Sequence, residues 1–113
     1  MHEVRLSKDF AKEFAELEAK AEKGNGEAKY LLALIDKGIA KLAADPEAGK
    51  HVSKRLIPKE YFVKYGVSNL WKLNLDSYWR LTYTLEGDKV KLFAIILEVL
   101  DHKNYNRKFG YHT

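Results

Sequence analysis

Arg80 stands in an alternating run, Tyr78-Trp-Arg-Leu-Thr-Tyr-Thr-Leu85, in which Trp79, Leu81, Tyr83 and Leu85 interleave with Tyr78, Arg80, Thr82 and Thr84. Successive side chains of a strand point to opposite faces of a sheet. If the first set faces a core, Arg80 stands on the other face, fixed by a rigid sheet, and such a charge suits binding or chemistry. The surrounding stretch, Asn69 to Tyr105, closes on Asp101-His-Lys-Asn-Tyr105, which adds His102, Lys103 and Tyr105 to the groups a site could use.

Charge is distributed unevenly around this stretch. Residues 50–80 carry seven Lys and Arg against two Asp and Glu, whereas residues 1–49 carry eight against ten, within a formal net charge of +4. A localised basic region favours a polyanionic partner, nucleic acid above all, although charge alone leaves a solvated surface equally open. The segment Glu47 to Ser68 interleaves Lys50, His51, Lys54, Arg55, Lys59 and Lys64 with Tyr61, Phe62 and Tyr65. Cations beside aromatic rings suit a phosphate backbone with bases stacking nearby. The structural alternative has the rings capping the core and the lysines solvating a loop.

Other chemistries find little support. There is no cysteine, hence no disulfide or thiolate. His2, His51, His102 and His112 show no metal-ligand spacing, so neither a metal nor another cofactor is expected. Ser7, Ser53, Ser68 and Ser77 lie in no recognisable nucleophile motif, and no glycine-rich phosphate loop is present. No run of about 18 apolar residues suggests a membrane span. Met1-His-Glu-Val-Arg5 lacks an apolar signal region, so a cytoplasmic location is the expectation.

The supporting elements follow from pattern. At 113 residues, with 46% hydrophobic residues, the chain is expected to form one domain spanning 1–113. Val4 and Leu6 alternate as a short edge strand. Ser7 sits where an N-cap belongs, and Phe10, Phe14, Leu17 and Ala21 follow at helical spacing. Gly24-Asn-Gly26 stops that helix. A second helix is expected over about 27–44, with Leu31, Leu34, Ile35, Ile39 and Leu42 as its stripe, closed by Asp45-Pro46. Pro58 can open a short helix that Gly66 ends. Trp71, Leu73 and Leu75 then begin a three-strand antiparallel meander with breaks at Asp76-Ser77 and Glu86-Gly-Asp88. The third of these strands, taken from Lys89, is apolar on both faces and belongs mid-sheet. The fold class is α+β: an N-terminal strand and helical hairpin packed on an antiparallel meander.

At Tyr78-Trp-Arg80-Leu-Thr-Tyr83, followed by the apolar strand and Val99-Leu-Asp-His102-Lys-Asn-Tyr105, the sequence resembles the RelE/ParE superfamily of type II toxin–antitoxin toxins. The ending Arg107-Lys-Phe-Gly-Tyr111 fits the same family, and the order of elements agrees over nearly the whole chain. In RelE-like members the resemblance implies ribosome-dependent cleavage of messenger RNA without a metal, the ribose 2′-hydroxyl attacking the neighbouring phosphorus. Arg80 occupies the strand arginine and is expected to stabilise charge on phosphorus, which a forked guanidinium grips through two oxygens. The resemblance places His102 and Tyr105 at the C-terminal acid–base and base-stacking positions of several RelE-like nucleases, and a histidine is suited to donate or accept the proton. Lys54, Arg55, Lys72 and Lys103 are candidates for a cationic rim. A cognate antitoxin and messenger RNA on the ribosome are the implied partners.

Two departures bear on activity. The strand before Arg80 offers Lys72-Leu-Asn74 where some members carry a Lys-x-Lys pair. Asp101 adds a negative charge beside His102, either orienting the imidazole or marking a member with weakened or lost nuclease activity. The superfamily also contains ParE-like toxins that inhibit DNA gyrase without cutting, and a non-toxic partner-binding member of the same fold is a third reading. For Arg80 itself, the structural alternative is an ion pair with Asp76, Glu86 or Glu98.

Overall fold

The computed structural model describes residues 1–110, so Tyr111 and His112 lie outside the described residues. The order is β1 (Val4–Leu6), α1 (Lys8–Glu22), α2 (Gly26–Ala44), β2 (Lys50–His51), a 3₁₀ turn (Lys54–Leu56), α3 (Lys59–Tyr65), β3 (Trp71–Asn74), β4 (Trp79–Glu86), β5 (Phe93–Asp101) and α4 (His102–Phe109). The strands form one sheet in the order β1-β5-β4-β3-β2. β3, β4 and β5 are the expected antiparallel meander, while β1 runs parallel to β5 and makes the sheet mixed.

The helical hairpin forms as its caps dictate. Ser7 Oγ accepts from Phe10 N at 3.1 Å and Asn25 Oδ1 from Ala28 N at 3.0 Å, each satisfying an amide that the helix leaves unpaired. α1 and α2 press Phe10, Leu31, Ile35 and Leu42 onto one face of the sheet, where Leu73, Leu81, Tyr83, Ala94, Ile96 and Val99 meet them. Trp79, Leu81, Tyr83 and Leu85 do face this core, so Arg80, Thr82 and Thr84 occupy the opposite face.

That opposite face carries a second, smaller core. Val52, Ile57, Tyr61, Val67 and Leu70 pack on Leu97, with Phe109 of α4 beside them. A register shift between Thr82 and Tyr83 leaves Leu97 as an extra residue in β5. Such a bulge turns two consecutive side chains toward one face. Here Leu97 enters the second core and Glu98 accepts from the Tyr61 hydroxyl at 2.5 Å and from Lys108 Nζ at 2.5 Å. This network fastens α3 and α4 to the sheet.

Three boundaries differ from expectation. β5 begins at Phe93, not Lys89, because Asp88 Oδ1 accepts from the amides of Val90 and Lys91 at 2.8 Å and holds them in a turn. β2, two residues long, carries no alternation that a sequence could display. His102 begins α4, an element that neither alternation nor turn signals mark in the sequence.

Gly49 shows how closely the β2 edge is fitted. Its amide donates to Tyr83 Oη at 3.0 Å, and that phenol donates to Pro46 O at 3.0 Å. A Cβ at Gly49 would stand 2.2 Å from the carbonyl oxygen of Lys72, a backbone atom that cannot step aside alone. Gly49→Ala should therefore cost about 1–3 kcal/mol, as overpacking does, and lower Tm by roughly 5–15 °C in a thermal melt. An unchanged Tm would mean that β2 is not held against β3.

Candidate active site

Three elements converge on Arg80. β4 carries it on the face away from the helical hairpin, and β3 places Lys72 and Asn74 on that same face, Asn74 directly opposite Arg80. The third element is α4, whose start is set by Asp101. Its carboxylate accepts from Asn104 N at 2.8 Å and from Asn104 Nδ2 at 3.1 Å, an N-cap that turns β5 into a helix. Because Leu100 pairs with Arg80 and Asp101 with Trp79, the helix begins alongside Arg80. Residues three and four apart share a helix face, which brings His102, Tyr105 and Asn106 together.

The guanidinium is held from several sides. Nε donates to Asn74 Oδ1 at 3.1 Å, Nη2 donates to His102 Nδ1 at 3.1 Å, and Cζ lies 4.5 Å from the centroid of the Tyr105 ring. Nη1 is buried and makes no hydrogen bond among the described residues. An arginine can only donate, and a neutral imidazole has one donor and one acceptor nitrogen. The Nδ1 lone pair therefore faces Arg80 and the proton sits on Nε2, where the Asn106 carboxamide, 3.2 Å away, can turn its oxygen to receive it. Both ring nitrogens are thus engaged, and His102 orients the guanidinium in this state.

Lys72 completes the cluster. Its Nζ lies 5.2 Å from the Tyr105 ring centroid, and Lys50 is its partner across the β2–β3 pair. Burial, then the charges of Arg80 and Lys50, hold the Lys72 ammonium below the ordinary lysine pKa. Among the described residues, no ion pair involves Arg80, Lys72 or Lys50. The carboxylates that could have neutralised Arg80 are placed elsewhere. Asp76 accepts from Tyr30 Oη and from the amides of Tyr78 and Trp79, Glu98 is bound by Tyr61 and Lys108, and Glu86 sits at the far end of β4. Asp101 is spent on the cap and has no bond to His102, so it neither orients the imidazole nor stands where an anion would meet Arg80.

Four of the seven expected site residues therefore meet: Arg80, His102, Tyr105 and Lys72. Lys54 and Arg55 are exposed on the 3₁₀ turn, and Lys103 is exposed on α4; no contact joins any of them to the cluster. Tyr105 needs a correction. It is 1% exposed and its ring stacks on Phe109 with centroids 4.3 Å apart, so it offers no face to a nucleobase. It is the platform under the two cations, a cation–π arrangement. Asn74 and Asn106 were not anticipated as site residues, and Lys50 had been grouped only with the basic 47–68 segment. Asn74 was readable, because it is two residues from Lys72 in an alternating strand. Asn106 follows His102 by one helical turn, which Asp101-x-x-Asn104 as a cap could have signalled.

Placing cations together without a counter-charge costs stability unless an anion arrives. Lys72→Met should raise Tm while weakening binding to single-stranded polyanions, and should reduce the slope of log K against log salt by about 0.7. A melt and a salt series with a labelled oligonucleotide check this; a lower Tm would show that the ammonium has a stabilising partner.

Comparison with protein-family models, curated proteins and solved structures finds no match for this chain. Among the described residues, no helix is long and apolar enough to cross a membrane, and no group of three or more His, Asp and Glu is placed to hold a metal ion.

Proposed function

We propose that this chain is a RelE-like toxin of the RelE/ParE superfamily, a ribosome-dependent messenger RNA endonuclease acting in the cytoplasm. One observation carries the reading: the Arg80 guanidinium is braced by Asn74, His102 and Tyr105 and has Lys72 rather than a carboxylate beside it. Such a group is arranged for an anion that is not part of the chain.

The chemistry follows from those positions. A phosphate oxygen takes the place of His102 Nδ1 as acceptor for Arg80 Nη2, which frees the imidazole lone pair. Nδ1 then accepts the proton of the ribose 2′-hydroxyl as its oxygen attacks phosphorus. The P–O5′ bond breaks, and Lys72, whose lowered pKa makes it a better acid, gives a proton to the leaving oxygen. The products are a 2′,3′-cyclic phosphate and a 5′-hydroxyl. Arg80 stabilises the charge that builds on phosphorus.

A second reading has its own support. With both His102 nitrogens engaged and Tyr105 buried, the site also suits a protein that binds without cutting, as a ParE-like gyrase inhibitor would. Expression of wild type, Arg80→Ala and His102→Ala separates the two. The nuclease reading expects growth arrest with fragmented messenger RNA from wild type alone. Arrest by His102→Ala with intact RNA and blocked supercoiling would favour gyrase, and harmless wild-type protein would favour a non-toxic binder. Either toxin implies an antitoxin, whose acidic segment would cover the Arg80–Lys72 face; gel filtration with an acidic protein encoded next door tests this.

A further inference from the structure

The cations beside Arg80 continue past it to the edge of the sheet. The strand order β1-β5-β4-β3-β2 puts His102, which follows β5, then Arg80 on β4, Lys72 on β3 and Lys50 on β2 in that sequence across one face. Directly opposed residues of an antiparallel pair share a face, so Lys50, the partner of Lys72, stands on the face of Arg80. Neighbouring strands lie about 4.8 Å apart, which roots Lys50 roughly 10 Å from the strand of Arg80. Lys72 lies between the two and feels the charge of both.

Here a pocket of about 200 Å³ opens at the start of β2, with Gly49, Lys50, Lys72 and Asn74 in its wall. Two of these residues belong to the Arg80 cluster. Asn74 Oδ1 accepts from Arg80 Nε, and Lys72 Nζ shares the Tyr105 ring with the guanidinium. Gly49 adds no side chain to fill the space. Leu75 N donates to Trp79 O and Val52 N to Leu70 O, so the even-numbered residues of β3 turn their backbone toward β2. The Asn74 amide therefore turns to that side too, past Lys50, at which β2 begins. Among the described residues, no carboxylate pairs with Lys50 or Lys72. Two ammonium groups and a backbone amide, all donors, furnish the pocket for an anion.

We propose that this pocket holds the RNA phosphate one step 3′ of the scissile one, and so fixes the direction in which RNA crosses the sheet. The proposal rests on the nuclease reading of the Arg80 site and adds polarity to it. His102 takes the proton of the 2′-hydroxyl, which belongs to the nucleotide upstream of the cut. Lys72 protonates the 5′-oxygen, which belongs to the nucleotide downstream. These two groups flank Arg80, His102 from α4 and Lys72 from β3. RNA therefore runs 5′ to 3′ from α4 toward β2, and its next phosphate arrives at Lys50, whose flexible stem can meet it. A carboxylate of an acidic protein segment also suits the pocket. Nothing ties such a carboxylate to the group on Arg80, whereas the next phosphate of the same strand is delivered by its own covalent chain.

The test uses the full chain at subsaturating concentration on stalled ribosomes. Their messenger RNA carries one uncharged methylphosphonate, placed one step 3′ or one step 5′ of the cut. For wild type the 3′ substitution should slow cleavage about 10-fold, the loss of one charge-assisted contact, and the 5′ substitution should leave it near the unmodified rate. Lys50 is exposed, so Lys50→Met should keep the fold. It should slow the unmodified strand to a similar degree and be slowed little further by the 3′ substitution, because the two changes remove the same contact. Lys50→Arg should retain most of the rate, and Lys54→Met, on the 3₁₀ turn, should change none of the three. Equal slowing at both positions, or slowing at the 5′ position alone, would overturn the polarity and leave the nuclease reading standing. Additive effects of Lys50→Met and the 3′ substitution would overturn the pocket in the same way, and wild type that cuts none of the strands would overturn both readings. Loss of oligoglutamate binding on Lys50→Met, with cleavage unchanged, would assign the pocket to an acidic protein segment and overturn the proposal.

Discussion

Arg80→Ala should slow single-turnover cleavage of messenger RNA on stalled ribosomes at least about 100-fold, because on the nuclease reading it removes the group that meets charge on phosphorus. The fold should survive, since no ion pair among the described residues involves Arg80, and Asn74 and His102 are exposed enough to bond water instead. Arg80→Lys should recover little of the rate. An ammonium cannot reach Asn74, His102 and a phosphate in one plane, nor spread its charge over the Tyr105 ring as a guanidinium does. Equal rates for wild type and Arg80→Ala would remove the residue from the chemistry.

The largest effect on stability is expected at Lys108. Its Nζ is bonded to Glu98 Oε2 at 2.5 Å and lies 3.4 Å from Glu60 Oε1, with the Lys108 and Glu98 side chains only 20% and 16% exposed. Lys108→Met leaves Glu98 half-buried with Tyr61 as its remaining partner. Breaking one side of a buried pair costs about 3–5 kcal/mol, so Tm should fall by more than 10 °C. His102 and Tyr105 ride on the same helix, so activity should fall with it at temperatures where α4 loosens. Glu98→Gln added to Lys108→Met should restore part of the loss, because the uncompensated charge is gone. A melt of both variants measures this; a Tm unchanged by Lys108→Met would show that α4 is held by its aromatic packing alone.

The same network, together with the buried Tyr83 phenol at the β2 edge, sets the response to alkali. Burial would lower the Lys108 pKa, but Glu98 and Glu60 outweigh it and raise the value above the ordinary 10.5. Burial and then the bond to Glu98 push the Tyr61 phenol upward, and burial raises Tyr83 to about 12. All three groups hold their protons more tightly folded than unfolded. Their contribution is complete below about pH 10 and is lost as pH rises through the folded values, so unfolding by denaturant should become easier from pH 10 upward.

Much of this arrangement was legible in the residues. Trp79, Leu81, Tyr83 and Leu85 announced which face of β4 is buried, and Arg80 was thereby placed correctly. Ser7 announced the first helix because capping is local chemistry; Asn25 reads only as part of the stop before the second helix, which it in fact caps. The 3.6-residue stripes of α1 and α2 announced the core they cover. What escaped depends on contacts between distant residues. β2 exists because Gly49 lets the chain lie against Lys72, and two residues leave no periodic trace. The bulge at Leu97 is a matter of register, which no single strand records. Tyr105 was assigned to base stacking because its burial under Arg80 and against Phe109 is visible only once α4 has docked.

The account stands or falls on whether Arg80 and its neighbours promote attack by a 2′-hydroxyl on phosphorus. The direct measurement is the chemistry of the ends produced when wild-type protein meets a stalled ribosome carrying defined messenger RNA. A 2′,3′-cyclic phosphate and a 5′-hydroxyl are predicted, with cleavage abolished by a single 2′-deoxy nucleotide at the cut. Intact RNA, or cleavage that persists with the deoxy substitution, would contradict it.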